Sequence, residues 1–180
     1  MLSEQEIIEG SINQERKAQK ALFELCAEKL FNVCLRYSKS AQDAEDLMHD
    51  VFIVVLNKLK TFKGNSSLTS WICAIAVNKA ISEIRKQKNK IFVDLDVYEA
   101  EATLSDYDHH DKEDVAEPSL DSAVEALKSL PEGYRVVLNL YAVENYSHKQ
   151  IAEALNISVG TSKSQLARAR KKLSEILEKK

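Results

Sequence analysis

Turn-forming residues are scarce in this chain, whose 180 residues include four glycines and two prolines. So few breakers leave room mainly for long helices. Alternating Val-Ile-Thr runs are missing too, which argues against a sheet. No apolar stretch reaches the ~18 residues of a membrane-crossing helix. The amino-terminal segment is polar, with Glu4, Glu6 and Glu9, unlike a secretory signal. A cytoplasmic protein without membrane insertion is therefore expected. The three cysteines, Cys26, Cys34 and Cys73, form an odd set with no Cys-x-x-Cys spacing. Their apolar helical surroundings mark them as small core residues rather than metal or redox ligands. Neither a P-loop, nor a glycine-rich phosphate cradle, nor a nucleophile–base set is present, so no enzymatic activity and no cofactor is expected.

Apolar residues make up 44% of the chain, enough for real cores, and the length suits one large or two small domains. The net charge of −3 is unevenly spread. Between Asp94 and Asp121 eleven acidic residues stand against Lys112 alone, a net −10 that leaves +7 on the remainder. Such asymmetry marks nucleic-acid surfaces joined by an acidic tether. The stretch DYDHHDKED, Asp106 to Asp114, is dense in metal-binding residue types. It carries no fixed ligand spacing, and a flexible, solvated acidic tether accounts for it.

The amino-terminal block, to about Lys90, reads as three or four helices. A long one covers roughly Asn13 to Tyr37, with Ala18, Leu22, Leu25, Cys26, Leu30, Val33 and Cys34 near helical spacing. The next starts at Ser40, capped with Asp43 three residues on, and stops around Phe62 to Gly64. A third runs from about Ser67 to Lys90 with a basic end, including Arg85 and Lys86. The carboxy-terminal block opens near Pro118-Ser119, where Ser119 caps a helix holding Ala123, Val124 and Leu127. Pro131 is placed like a first-turn proline of the following helix.

The most informative stretch is SHKQIAEALNISVGTSKSQLARARKKLSEIL, Ser147 to Leu177. Ser147 and Gln150 have the spacing of a capping box, and Ile151, Ala152 and Leu155 form an inward face. Asn156 tolerates the left-handed conformation of a helix end. Ser158 caps a second helix whose buried side carries Leu166, Ala169 and Leu173. This is a helix-turn-helix, whose second helix enters the DNA major groove with its first residues toward base edges. Gln165 suits adenine, Lys163 suits guanine or a phosphate, and Thr161, Ser162 and Ser164 suit either base type. Arg168, Arg170, Lys171 and Lys172 follow as contacts to the DNA backbone.

These residues carry a family resemblance. LPEGYRVVLNLYAVENYSHKQIAEALNISVGTSKSQLARARKKL resembles region 4 of bacterial sigma factors, and SAQDAEDLMHDVFIVVLNKLKTFKGNSSLTSWICAIAVNKAISEIRKQ resembles region 2. A two-block plan without intervening domains is similar to the extracytoplasmic-function (ECF) group. The resemblance implies an all-α chain of two helical domains joined by an acidic flexible linker. Region 2 would occupy residues 1–93, the linker 94–118, and region 4, with its helix-turn-helix, 119–180. It implies a subunit that binds core RNA polymerase, directs promoter recognition, melts DNA and initiates transcription.

By position, the resemblance sets Asp43, Glu45, Asp46, His49 and Asp50 against the clamp helices of the polymerase β′ subunit. Region 4 has the β flap as a further partner. Phe62, Lys63, Asn65, Ser66 and Ser67, with Asn78 and Lys79 on the next helix, would melt and read the −10 element. An aromatic wall, hydrogen-bonding groups and a cation are what an unstacked base needs. Arg85 and Lys86 suit upstream duplex phosphates. The second helix of the helix-turn-helix would read the −35 element. Its opening, Thr161-Ser162-Lys163, departs from the family pattern, in which an apolar residue commonly follows the threonine. The acidic linker would thread the polymerase cleft, and an anti-sigma factor is an expected partner. Two other readings remain at this stage. A conventional helix-turn-helix regulator would act as a dimer without polymerase, and an acid-linker metalloenzyme would hold a metal.

Overall fold

The computed structural model describes residues 2–87, 91 and 126–178, and every regular element among them is helical. The elements are α1 (Glu4–Ile12), α2 (Arg16–Tyr37), α3 (Ala41–Lys58) followed by a 3-10 turn (Leu59–Thr61), α4 (Leu68–Lys86), α5 (Glu132–Ala142), α6 (His148–Leu155) and α7 (Val159–Leu177). The chain divides into two compact units, Met1–Ser82 and Glu83–Lys180. The acidic segment with its Asp-His run, and Ser119, Ala123 and Val124, lie outside the described residues.

In the first unit, α1 packs on α2 and on the 3-10 turn, and α2 packs on α3. The sequence reading passed over α1, although its signal is present. Ser3 and Glu6 form a capping box, with the Ser3 N–H donating to Glu6 Oε2 at 2.7 Å. Gln14, at φ 63°, turns the chain into α2. The core is a ladder of helical repeats: Leu22, Cys26, Leu30 and Cys34 from α2, Ala44, Val51 and Val55 from α3, and Leu68, Ile72, Ala76 and Ala80 from α4. Fully burying each Leu or Ile stabilises the fold by about 1.5–3 kcal/mol. Burial pushes the Cys26 thiol up to about 11 and the Cys34 thiol up to about 12, with Cys73 adding to both. Both thiols therefore stay protonated at neutral pH and pack as small apolar groups. Leu25, placed in the core by its spacing, is instead 47% exposed.

Gly10 marks the tightest approach in this unit. A Cβ there would lie 2.6 Å from Ala18 Cβ and 3.0 Å from a Glu15 carboxylate oxygen. The carboxylate can swing away, but the α2 backbone behind Ala18 cannot. Gly10→Ala is therefore expected to destabilise the protein by about 1–3 kcal/mol, despite the better helix propensity of alanine. Urea denaturation checks this, and an unchanged midpoint would show that α1 can lift away at no cost.

In the second unit, α7 packs on α5 and α6, and α6 packs on α5. Helix α5 is the centre: Gly133 and every residue from Arg135 to Leu140 are buried, so it is covered nearly all round. Pro131 is its N-cap rather than a first-turn residue, with φ −49° and ψ 143°. Two polar side chains are buried on α5, Arg135 and Asn139. Arg135 Nη1 donates to the Lys128 carbonyl at 3.3 Å.

Candidate nucleic-acid interface

The helix-turn-helix is built by local capping. Ser147 Oγ accepts from the Gln150 N–H, and Gln150 Oε1 accepts from the Ser147 N–H at 2.9 Å. Helix α6 ends at Asn156 in the left-handed region, φ 56° and ψ 50°. Ser158 Oγ then accepts from the Thr161 N–H at 2.9 Å and starts α7. Ile151, Ala152 and Leu155 of α6 meet Leu166 and Ala169 of α7 in the interior, and Leu173 is half-buried.

The outer side of α7 is basic. Gly160, Lys163, Ala167, Arg170 and Lys171 are exposed and share one face by their spacing of three and four, with Lys172 beside them. Lys172 also meets Glu175 at 3.7 Å. Thr161, Ser164 and Arg168 are half-buried at the edges of that face. Thr161 and Ser164 are further engaged within the turn, through Ser158 Oγ and the Thr161 carbonyl respectively.

Two expected base readers are misplaced. Ser162 and Gln165 are both 0% exposed. They belong to the stripe Ser162, Gln165, Leu166, Ala169, which has the i, i+3, i+4, i+7 spacing of a helix's buried face. Ser162 Oγ lies 3.0 Å from His148 Nδ1. Gln165 Oε1 and Nε2 are buried without hydrogen-bond partners. Neither side chain presents polar atoms to a groove. Of the residues expected to reach base edges, Lys163 is the one left fully exposed.

His148, which sequence reasoning left aside, sits where three helices converge. Its ring stacks on Tyr141 of α5, with centroids 4.9 Å apart, and its Nδ1 meets Ser162 of α7. The Arg170 guanidinium lies 5.5 Å from the centre of the same Tyr141 ring. Burial holds the imidazole below the usual histidine range, with Lys163 and Arg170 pushing the same way.

In the first unit, Asp43, Glu45, Asp46, His49 and Asp50 are all exposed on α3, while Ala44 and Met48 between them face the core. Asp43 is also part of the α3 cap, its carboxylate accepting from Ser40 Oγ at 2.7 Å. Asp46 faces Gln42 Nε2 at 3.4 Å. Asp50 pairs with Lys79 of α4 at 3.1 Å. One residue assigned to polymerase and one assigned to DNA are thus in contact with each other. Lys63, Asn65, Ser66, Ser67 and Asn78 are exposed. The turn at Gly64 has φ 71°, and Ser67 Oγ caps α4 by accepting from the Ser70 N–H at 3.2 Å. Phe62 is half-buried, its ring 5.4 Å from that of Trp71 and tilted by 55°. Trp71 is likewise half-buried. Arg85 and Lys86 are exposed, and Lys86 pairs with Glu83 at 3.0 Å.

Among the described residues no group of acidic, histidine and cysteine side chains could hold a metal ion, and no helix is long and apolar enough to cross a membrane. A chain whose described elements are all helical, with a capped, basic-faced helix-turn-helix, is of the class that acts on DNA. Comparison with known proteins narrows the class. Residues 22–90 match Sigma-70 region 2 and residues 120–173 match Sigma-70, region 4, together about two thirds of the chain. The ECF RNA polymerase sigma factor SigW of Bacillus subtilis is 28% identical over 95% of this chain and 97% of its own length. The ECF RNA polymerase sigma-E factor of Escherichia coli K12 is 27% identical over 94% of this chain and 91% of its own. A solved sigma factor RpoE, in complex with the anti-sigma factor NepR from Bartonella quintana, matches 88% of this chain and 96% of its own at 25% identity and TM-score 0.49. The chain belongs to the ECF group of RNA polymerase sigma factors. It is a transcription initiation factor and not an enzyme.

Proposed function

We propose that this chain binds core RNA polymerase through region 2, reads promoters with both units and is controlled in the cytoplasm by an anti-sigma factor. In this reading residues 1–93 form region 2, 94–118 the acidic linker and 119–180 region 4. The observation that carries it is the segregation of charge over two exposed helix faces. The start of α3 is acidic (Asp43, Glu45, Asp46, Asp50), and α7 is basic (Lys163, Arg170, Lys171). The acidic face suits a basic docking surface such as the β′ clamp helices. The basic face suits phosphates, with Lys163 nearest the base edges and Arg168 and Arg170 along the backbone. The β flap is the second polymerase contact expected for region 4.

Run-off transcription with core polymerase tests the whole reading. Promoter-specific transcripts that need this chain are expected, whereas DNA binding without any effect on polymerase would make it a conventional regulator. The docking face has a test of its own. Glu45→Gln with Asp46→Asn removes two charges and spares the Asp43 cap and the Asp50–Lys79 pair. The double change is expected to weaken co-purification with core enzyme about tenfold or more, with duplex binding unchanged. Undiminished polymerase affinity at physiological salt would move the docking surface elsewhere.

A further inference from the structure

The helix-turn-helix contains a polar pair that ties the start of α6 to α7. Ser162, after Thr161, is fully buried, and its hydroxyl meets His148 Nδ1 at 3.0 Å. A hydroxyl both donates and accepts, so this bond survives either charge state of the imidazole. Neutral, Nδ1 accepts from the serine; charged, it donates to it. The Tyr141 ring, 4.9 Å away, tolerates a cation on its face. The hydrogen bond and the ring stack thus accommodate a proton.

What opposes it is the surroundings. Tyr141 faces the ring from α5, and Ser162, Lys163 and Arg170 face it from α7. Lys149 follows it on α6. The charges acting on it, Lys163 and Arg170, are both cations, and they add to the cost of burial. These same two residues lie on the exposed face of α7 that meets DNA in the function proposed above, on which this inference rests. Phosphates seated there would offset the part of that cost which the two cations impose.

We propose that His148 makes DNA binding by this chain proton-linked: the imidazole takes up a proton when duplex phosphates settle against Lys163 and Arg170. His148 thereby acts as a positioning residue, holding α7 through Ser162, that adds a positive charge in the complex. The sign follows from linkage. The group titrates at lower pH in the free protein than in the complex, so between the two midpoints the complex holds more protons and acid favours binding. Below the free midpoint both forms are charged and the dependence disappears.

The test uses the full chain and a 20-base-pair duplex, with affinity read by fluorescence anisotropy between pH 8 and pH 5.5 at constant ionic strength. Affinity is expected to rise about three- to tenfold as pH falls, since one proton contributes at most about tenfold per pH unit. His148→Gln keeps an amide within reach of Ser162 but cannot titrate, and should flatten the profile. The remaining histidines, His49, His109 and His110, are unchanged in that variant. Proton NMR of the His148 ring should show its midpoint moving up on adding the duplex, a readout that needs no variant. Duplex binding with an unmoved His148 midpoint, or a profile that survives His148→Gln, overturns the proposal and leaves the DNA-facing reading of α7 intact. Absence of binding at every pH overturns that reading as well.

Discussion

Replacing Phe62 and Asn78 with alanine is expected to lower open-complex formation on duplex promoter DNA by roughly ten- to hundredfold. Melted DNA needs a surface that outbids base stacking, and each base stacked on an aromatic contributes about 1–3 kcal/mol. The segment after α3 supplies the parts. Phe62 is half-buried, with its ring against Trp71 at 5.4 Å, so it forms a supported wall rather than a swinging side chain. Lys63, Asn65, Ser66 and Ser67 are exposed after it, carried round by Gly64 in a left-handed turn. Asn78 is exposed on α4. Because the aromatic pair itself stabilises the fold by about 0.5–1.5 kcal/mol, urea midpoints must accompany the functional assay. Permanganate reactivity of unpaired thymines is the direct readout. A pre-melted bubble should rescue the opening defect but not the loss of base reading. Normal reactivity on duplex DNA with both substitutions would return this loop to a plain inter-helix turn.

The parts of the fold legible in the sequence are those fixed by neighbours within four residues. Ser147 with Gln150, Asn156 and Ser158 act as their types require, because a cap is satisfied locally whatever the rest of the chain does. The acidic face of α3 was legible for the same reason: Ala44, Met48 and Val51 fix the inward side, so the acids between them must face out. The failures came where residue type was followed ahead of position. Ser162 stands four residues before Leu166 and Gln165 four before Ala169, so helical spacing puts them inside, yet their polarity suggested a groove. His148 went unnoticed because its partners lie on other helices: Tyr141 is seven residues before it and Ser162 fourteen after. Only packing of α5, α6 and α7 brings the three together. The ion pair of Asp50 with Lys79 is non-local in the same sense, and it joins two residues that the sequence had given to different partners.

Gln165→Leu is expected to stabilise the protein by about 1–2 kcal/mol and to leave its DNA sequence preference unchanged. Glutamine at a base-facing position would read adenine through its amide, and losing it would relax specificity at one base pair by roughly 1–3 kcal/mol. The structure assigns this side chain a different setting. It is 0% exposed, and both its amide oxygen and its amide nitrogen are buried without hydrogen-bond partners. A buried polar group in that state costs about 1–3 kcal/mol of desolvation. Leucine has nearly the same length and volume and nothing to desolvate, so the exchange removes the cost without opening a cavity. Gln165→Ala differs: it removes the amide but leaves a void beside Leu166 and Ala169, and the two effects largely cancel in stability. Lys163→Ala is the contrasting change, since Lys163 is exposed on the basic face of α7 and should lose affinity without altering the unfolding midpoint. Urea denaturation and selection of binding sites from a randomised duplex pool separate these outcomes. Relaxed sequence preference in Gln165→Leu, with an unchanged unfolding midpoint, would place the amide in the groove and restore Gln165 as a reader of bases.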